Sequence, residues 1–374
     1  MARKRSKGEK APAGGGGVPG MALALQGGGS HGAFTWGVLD RLLDEVAQNH
    51  LSFTAVSGSS AGAINATLLA SGLTQGVEAA RSNLRGFWES VSRGSFAALN
   101  MLFFPEPSPF GGWNIDFAPF AMAAEAASLV VSPYTNPFYV DALTPLLEEA
   151  FPPDELARLN STEAMPTFVS ATNVRDNTRA IFTQPQLSID ALRASACVPT
   201  DFRAVTIGGV PYWDGGYLGN PALTPLTDLS QDLLLILLNP FIEPDAPPTS
   251  APGILARMNQ IIFNASIVLE ANGIEAVNRV LAGFAASGAA NPTKYRPVRF
   301  HCIRSDAFLA SLGLLSENST SAAFIRSLFE HGRETAEVWL AANRDQIGRT
   351  SSYDVYSEMI VPVLGGGRVA HEST

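Results

Sequence analysis

Two stretches near the start of the chain decide its fold. The first is Met21-Ala22-Leu23-Ala24-Leu25-Gln26-Gly27-Gly28-Gly29-Ser30-His31-Gly32. About thirty residues later comes Phe53-Thr54-Ala55-Val56-Ser57-Gly58-Ser59-Ser60-Ala61-Gly62. Each is a short apolar run that ends in a glycine-rich turn, and a helical pattern follows each turn. After the first, Phe34, Val38, Leu42 and Val46 recur every fourth residue with Leu39 and Leu43 beside them, which predicts a helix over 33–46. After the second, a helix is expected over 61–70, closed by Gly72. Strand, turn and helix twice over make a βαβ unit with two neighbouring parallel strands. Sites in such sheets form beyond the carboxyl ends of the strands. The two glycine motifs are therefore expected to meet in space.

The chemistry of the two turns is complementary. Gly58-Ser59-Ser60-Ala61-Gly62 fits a Gly-x-Ser-x-Gly elbow, in which a tight strand-to-helix turn pushes a serine hydroxyl outward and small neighbours let the turn close. The helix behind it points its positive end at Ser60. Gly27-Gly28-Gly29 at the mouth of the neighbouring helix leaves backbone N–H groups free to hold a developing oxyanion. The same cluster also fits Gly-x-Gly-x-x-Gly through Gly27, Gly29 and Gly32. A dinucleotide site needs an acid at the end of the second strand, and here the elbow occupies that place. No Gly-Lys-Ser/Thr follows, which removes a phosphate loop as well.

Further along, helices are expected over 75–91, 139–151, 187–197, 254–284 and 321–346. Strands are expected over 167–173, 179–184, 204–207, 210–213, 233–238 and 297–303. This alternation makes the chain α/β. Between 96 and 139 the texture changes: aromatics such as Phe103, Phe104, Phe110, Trp113, Phe117 and Phe120 crowd a stretch whose charges are Glu106, Asp116 and Glu125. It reads as an insert, either a lid or acyl-chain wall that meets lipid, or a helical subdomain whose aromatics are core. Residues 1–20, basic and then glycine-rich, are expected to be a disordered tail. The main domain is expected over 21–350, and 351–374, with Gly365-Gly366-Gly367, as a C-terminal tail.

Composition narrows the function further. The 374 residues are 46% apolar and carry a net charge of −9, which argues against nucleic acid as a partner. The basic head, with Arg3, Lys4, Arg5, Lys7 and Lys10, is a weak tether to anionic lipid or a solubilising tail. No run of about 18 apolar residues predicts a membrane span. Cys197 and Cys302 give neither a disulfide framework nor metal spacing, so a reduced, cytoplasmic setting is the default. No acidic cluster is spaced for calcium, and no cofactor is expected.

A serine nucleophile needs a base. His31 lies in the glycine loop, His50 in a turn, His331 on a late helix and His371 in the tail. Only His301, on an apolar strand, fits a Ser–Asp–His order, although a lone histidine there is more often a satisfied core residue. Among the acids, Asp214 stands out in Val210-Pro211-Tyr212-Trp213-Asp214-Gly215-Gly216-Tyr217, at the end of a strand. Asp-Gly is equally common in a plain hairpin turn, and pattern alone does not separate the two readings.

The combination of Gly27–Gly32, the elbow at Ser60 and Asp214-Gly215-Gly216, in that order and spacing, resembles the patatin-like phospholipase family. Ser170-Ala171-Thr172-Asn173 and Arg193-Ala194-Ser195-Ala196-Cys197-Val198-Pro199 are similar to it as well. The resemblance implies a three-layer α/β/α sandwich on a mainly parallel sheet, hydrolysing lipid acyl esters without metal. It implies Ser60 as nucleophile and Asp214 as base, with an oxyanion hole from Gly27, Gly28 and Gly29 together with Ala61. Gly32, Gly58, Gly62, Gly215 and Gly216 complete the motifs. His31 departs from the pattern, because family members carry Lys or Arg there and a histidine adds positive potential only when protonated. The expected substrate is a phospholipid or lysophospholipid, with peripheral contact at a membrane or lipid surface. The alternatives are a neutral ester (acylglycerol or intracellular polyester) or a non-catalytic lipid-binding protein of the same fold. Oligomeric state is not legible in the sequence.

Overall fold

Alternation along the strands sets the layers. In β1 (Gly20–Leu25), Met21, Leu23 and Leu25 enter one core and Ala22 and Ala24 the other. The computed structural model describes residues 18–93, 113–114, 131–241, 247–249 and 251–360. Within them β2 (Ser52–Gly58), β3 (Thr167–Asn173), β4 (Thr178–Phe182), β5 (Val205–Ile207), β6 (Val210–Asp214), β7 (Asp232–Ile236) and β8 (Arg299–Ile303) join β1 in one sheet of order β5-β6-β3-β2-β1-β7-β8, with β4 also paired to β3. The stretch β3-β2-β1-β7-β8 is parallel throughout, and β4 and β6 run antiparallel to β3. A sheet buried on both faces explains the continuous apolar run Leu233-Leu234-Leu235-Ile236, whose members point alternately into the two cores.

One face is covered by α1 (Gly32–Ala47), α2 (Ala61–Leu73), α3 (Val77–Arg93) and, later in the chain, Ala322–Asn343. The other face is covered by the long helix Ala251–Ala286 through Ile267 and Ala271. The expected three-layer α/β/α sandwich on a mainly parallel sheet is the observed architecture. The helices after α3 are α4 (Leu143–Ala150), α5 (Pro153–Leu159), α6 (Ile189–Ser195), α7 (Thr224–Thr227), α8 (Ala251–Ala286), α9 (Asp306–Ser311) and α10 (Ala322–Asn343). Of these, α5, α7 and α9 have no counterpart in the sequence reading. They span four to seven residues, too short for a helical period to emerge.

Two boundaries differ from expectation for physical reasons. Gly72 does not end α2. The helix runs on to Leu73, and a Cβ at Gly72 would stand 2.3 Å from the Ala80 Cα, so the glycine lets α3 pack closely against α2. Residues 351–360 are not loose: the backbone N–H groups of Ser352 and Tyr353 donate to the Phe300 carbonyl at 3.0 and 3.1 Å, and Val355 and Met359 are buried in the core under α8. Most of the aromatic insert over 96–139, the head over 1–17 and the tail over 361–374 lie outside the described residues.

The edge of the sheet away from the glycine motifs is held by a buried carboxylate. Asp232, at the start of β7, takes both Nε and Nη2 of Arg299 at 2.9 and 2.6 Å, Nε2 of His301 at 3.0 Å and the Gly348 N–H at 3.0 Å. Burial opposes its charge, but these donors outweigh that and hold its pKa well below the ordinary value. Replacing Asp232 with alanine strands the Arg299 charge in a half-buried place and is expected to cost ~3 kcal/mol in urea unfolding at pH 7. A carboxylate with a depressed folded pKa stabilises above its unfolded value of about 3.9. The difference between variant and wild type should therefore shrink as pH falls below 4.

Candidate active site

Ser60 caps α2 at φ 52°, ψ −127°, a left-handed conformation that a non-glycine residue adopts at a cost of ~1–3 kcal/mol. The flanking glycines make this turn possible. A Cβ at Gly58 would stand 2.3 Å from the Gly62 carbonyl oxygen, and one at Gly62 would stand 2.2 Å from that of Leu25. Ser60 is 9% exposed, and its N–H donates to Oγ of Ser195 at 3.0 Å. Asn65 ties this turn to the first one: its Nδ2 donates to the Gly32 carbonyl at 2.9 Å and its Oδ1 accepts from Trp88 at 2.9 Å.

The handover between strands along β3 brings Asp214 to the same place. β2 ends at Gly58, opposite Val169, while Ala171 faces Asp214. β4 pairs with 169–173 on the other edge, so β2 and β6 share one edge of β3, end to end. Gly208 and Gly209, both at positive φ, turn β5 back into β6 as a two-residue hairpin, which makes β6 run antiparallel to β3. The carboxyl ends of β2 and β6 therefore point at each other across two residues of β3, about 7 Å of strand.

The segment after α6 fixes both members. Ser195 Oγ holds the Ser60 N–H, and two residues later the Cys197 carbonyl accepts the Asp214 N–H at 2.8 Å. Asp214 is fully buried. Its Oδ1 caps the turn at Gly215 by accepting the Gly216 N–H at 2.6 Å, and Oδ2 has no hydrogen-bond partner. Burial raises its pKa to about 7. The Gly216 N–H and the Ser60 hydroxyl pull back toward the charged form, though the hydroxyl does not complete a hydrogen bond to Oδ2. One Asp214 oxygen is therefore taken by the turn that follows β6, and the other is left without a hydrogen bond.

The glycine-rich turn lies beside them. A Cβ at Gly27 would stand 2.8 Å from that of Ser60, so this residue must be glycine for the two turns to touch. The Gly27 N–H, however, donates to Asn220 Oδ1 at 2.7 Å, which commits it within the protein. Among the described residues the N–H groups of Gly28, Gly29 and Ala61 take no intramolecular partner. Of the expected donors, these three are free to face a ligand, whereas Gly27 contributes shape.

None of the described histidines hydrogen-bonds Ser60 or Asp214 through its ring. His301 is fully buried between Asp232 and Ser352, on a strand three spacings (~14 Å) from β2. His331 bonds Ser305 at 2.9 Å and stacks on Phe308, and His50 bonds Glu45 at 3.1 Å. His31 is buried against Ser316 at 2.7 Å, and burial lowers its pKa to about 4, so it brings no positive charge near neutral pH. His371 lies outside the described residues. A Ser–Asp–His triad through His301 is excluded by this placement. Among the described residues no group of three metal-ligating side chains is assembled. Two surface cavities, of ≈ 360 and ≈ 590 Å³, lie around residues 300–358 and touch neither Ser60 nor Asp214.

Residues 23–227, more than half of the chain, match the family model of the patatin-like phospholipases. The chain belongs to the patatin-like phospholipase family. Membership implies lipid acyl hydrolase activity. Among solved structures, the crystal structure of VipD from Legionella pneumophila is similar at a TM-score of 0.41 and 14% identity, covering 92% of this chain and 73% of that one. Among curated proteins no sequence matches. Among the described residues no helix is long and apolar enough to cross a membrane.

The sequence reading missed Ser195, Asn220 and Asn239 as residues holding the two turns. Ser195 lay inside a stretch already similar to the family, and Asn220 six residues past Asp214. Neither carries a local signal, because each acts on a partner more than 130 residues away in the chain.

Proposed function

We propose that this chain is a serine esterase that cleaves carboxylic esters of phospholipids or lysophospholipids through Ser60 and Asp214. The supporting observation is the convergence of a strained serine with an open, buried carboxylate oxygen beneath three unpartnered N–H groups. Ser60 Oγ attacks the ester carbonyl while its proton passes to Asp214 Oδ2. The Gly28, Gly29 and Ala61 N–H groups hold the oxyanion, and loss of one such donor typically costs ~10²–10³ in rate. The alcohol leaves with the proton from Asp214, and a water, deprotonated by the same carboxylate, hydrolyses the acyl-serine. The hydrogen bond absent in the free protein is expected to tighten when substrate is bound. A fluorophosphonate probe should label the wild type at Ser60, and absence of labelling in correctly folded protein would refute the reading.

The exposed face of α8 supports a lipid surface as the place of action. Asn278 bonds Val298 just before β8, while Asn264 bonds Gln26 just after β1, so the helix runs antiparallel to the strands and its first turns extend past their carboxyl edge. There Ile254, Leu255, Met258, Ile261 and Ile262 are all exposed, and Arg257 is the one charge between 251 and 269. An apolar face of this size beside a site for greasy esters fits contact with a bilayer. Introducing Met258→Glu together with Ile261→Glu should weaken co-sedimentation with phosphatidylcholine vesicles at least fivefold and leave hydrolysis of p-nitrophenyl butyrate unchanged. Undiminished vesicle binding would refute the docking face.

A further inference from the structure

The backbone around Gly27 is gripped from both sides. Its N–H donates to Oδ1 of Asn220 at 2.7 Å, and its carbonyl accepts from Nδ2 of Asn239 at 3.3 Å. The bond to Gly28 is trans, so the Gly27 carbonyl and the Gly28 N–H lie in one rigid plane and point in opposite directions. Whatever holds the carbonyl therefore aims the Gly28 N–H. Asn239 is 3% exposed and firmly placed: its own N–H and that of Leu238 donate to Gln26 Oε1 at 2.9 and 2.8 Å. Gln26 Nε2 in turn donates to Asn264 Oδ1 at 3.0 Å, and Asn264 Nδ2 donates to the Pro240 carbonyl at 3.2 Å.

Four buried amide side chains in one place are costly to desolvate, and apolar residues would fill the space more cheaply. Their chemistry suits a position under a developing anion. An amide supplies donor and acceptor without charge, whereas a carboxylate here would oppose the oxyanion and a lysine would compete for it. We propose that Asn239 is a positioning residue for ester hydrolysis: its amide orients the Gly27–Gly28 peptide so that the Gly28 N–H faces the substrate carbonyl, with Asn220 fixing the preceding N–H. This rests on the reading of Ser60 as the nucleophile.

The test compares wild type with Asn239→Ala and, where alanine compromises folding, the isosteric Asn239→Asp, which lacks the donor. The probes are an alkyl trifluoromethyl ketone, whose carbonyl accepts the Ser60 oxygen to form a tetrahedral hemiketal oxyanion, and the matching unreactive alcohol. The variants should bind the ketone at least tenfold more weakly and lose about 10–100-fold in kcat on p-nitrophenyl butyrate. KM and affinity for the alcohol should stay within twofold. Unchanged ketone affinity and kcat would overturn the proposal, as would a parallel loss of ketone and alcohol binding, which marks mere packing. A wild type that binds ketone no more tightly than alcohol would overturn the nucleophile reading itself, and this inference with it.

Discussion

Ser60→Ala is expected to lower kcat for any carboxylic ester by about 10⁴-fold or more, because both steps of the proposed reaction pass through the Ser60 oxygen. The far-ultraviolet circular dichroism and the unfolding midpoint should change little, since the side chain makes no hydrogen bond on which the fold depends and is 9% exposed. A companion variant separates chemistry from conformation. Ser60→Gly should be equally inactive but more stable by ~1 kcal/mol, because glycine adopts φ 52°, ψ −127° without the crowding a Cβ brings. Hydrolysis by Ser60→Ala at more than a tenth of the wild-type rate would remove the serine from the mechanism.

The second large effect is at Asp214. Asp214→Asn retains the shape and an acceptor for the Gly216 N–H but cannot take a proton, and activity should fall at least 10³-fold. In the wild type, kcat/KM should rise with pH through about 7 as the carboxyl ionises and then level off. The same substitution has an opposite effect on stability. A carboxyl whose folded pKa is raised favours the folded state in its neutral form; that advantage is complete below the unfolded value of about 3.9 and lost as pH rises through about 7. Asp214→Asn should therefore match the wild type near pH 4 and exceed it by a few kcal/mol at pH 8, measured as urea unfolding at each pH. An acid limb displaced to pH 4, or no gain in stability at pH 8, would remove Asp214 as a desolvated base.

Much of this arrangement was legible from residues close together in the chain. The β1 and β2 turns announce themselves because an apolar run, a glycine cluster and a four-residue period follow one another within about twenty residues. β3 falls at Thr167–Asn173, as its own composition indicates, and the parallel pairing of β1 with β2 follows from the helix between them. Pattern alone leaves Asp214 readable equally as a turn residue or as a base, because the distinction lies in which oxygen the turn uses. Ile207-Gly208-Gly209-Val210 carried an unused signal: two glycines between strand runs specify the reversal that sends β6 against β3. Gly72 misled because a glycine that ends a helix and one that admits a neighbouring helix look alike until Ala80 is in place. Pairs such as Ser60 with Ser195, or Gly27 with Asn239, leave no trace in any local window.

The shared edge of β3 turns the separation between Ser60 and Asp214 into a matter of counting residues. One extra residue between Val169 and Ala171 would swing the position opposite Asp214 to the reverse side of the sheet, since neighbours along a strand face opposite ways. That dipeptide step is accordingly the least forgiving interval in the molecule for insertion or deletion. By contrast, chain length between α3 and α4 leaves the gauge untouched. Residues inserted there precede every paired position of β3 and leave the step from Val169 to Ala171 as it is.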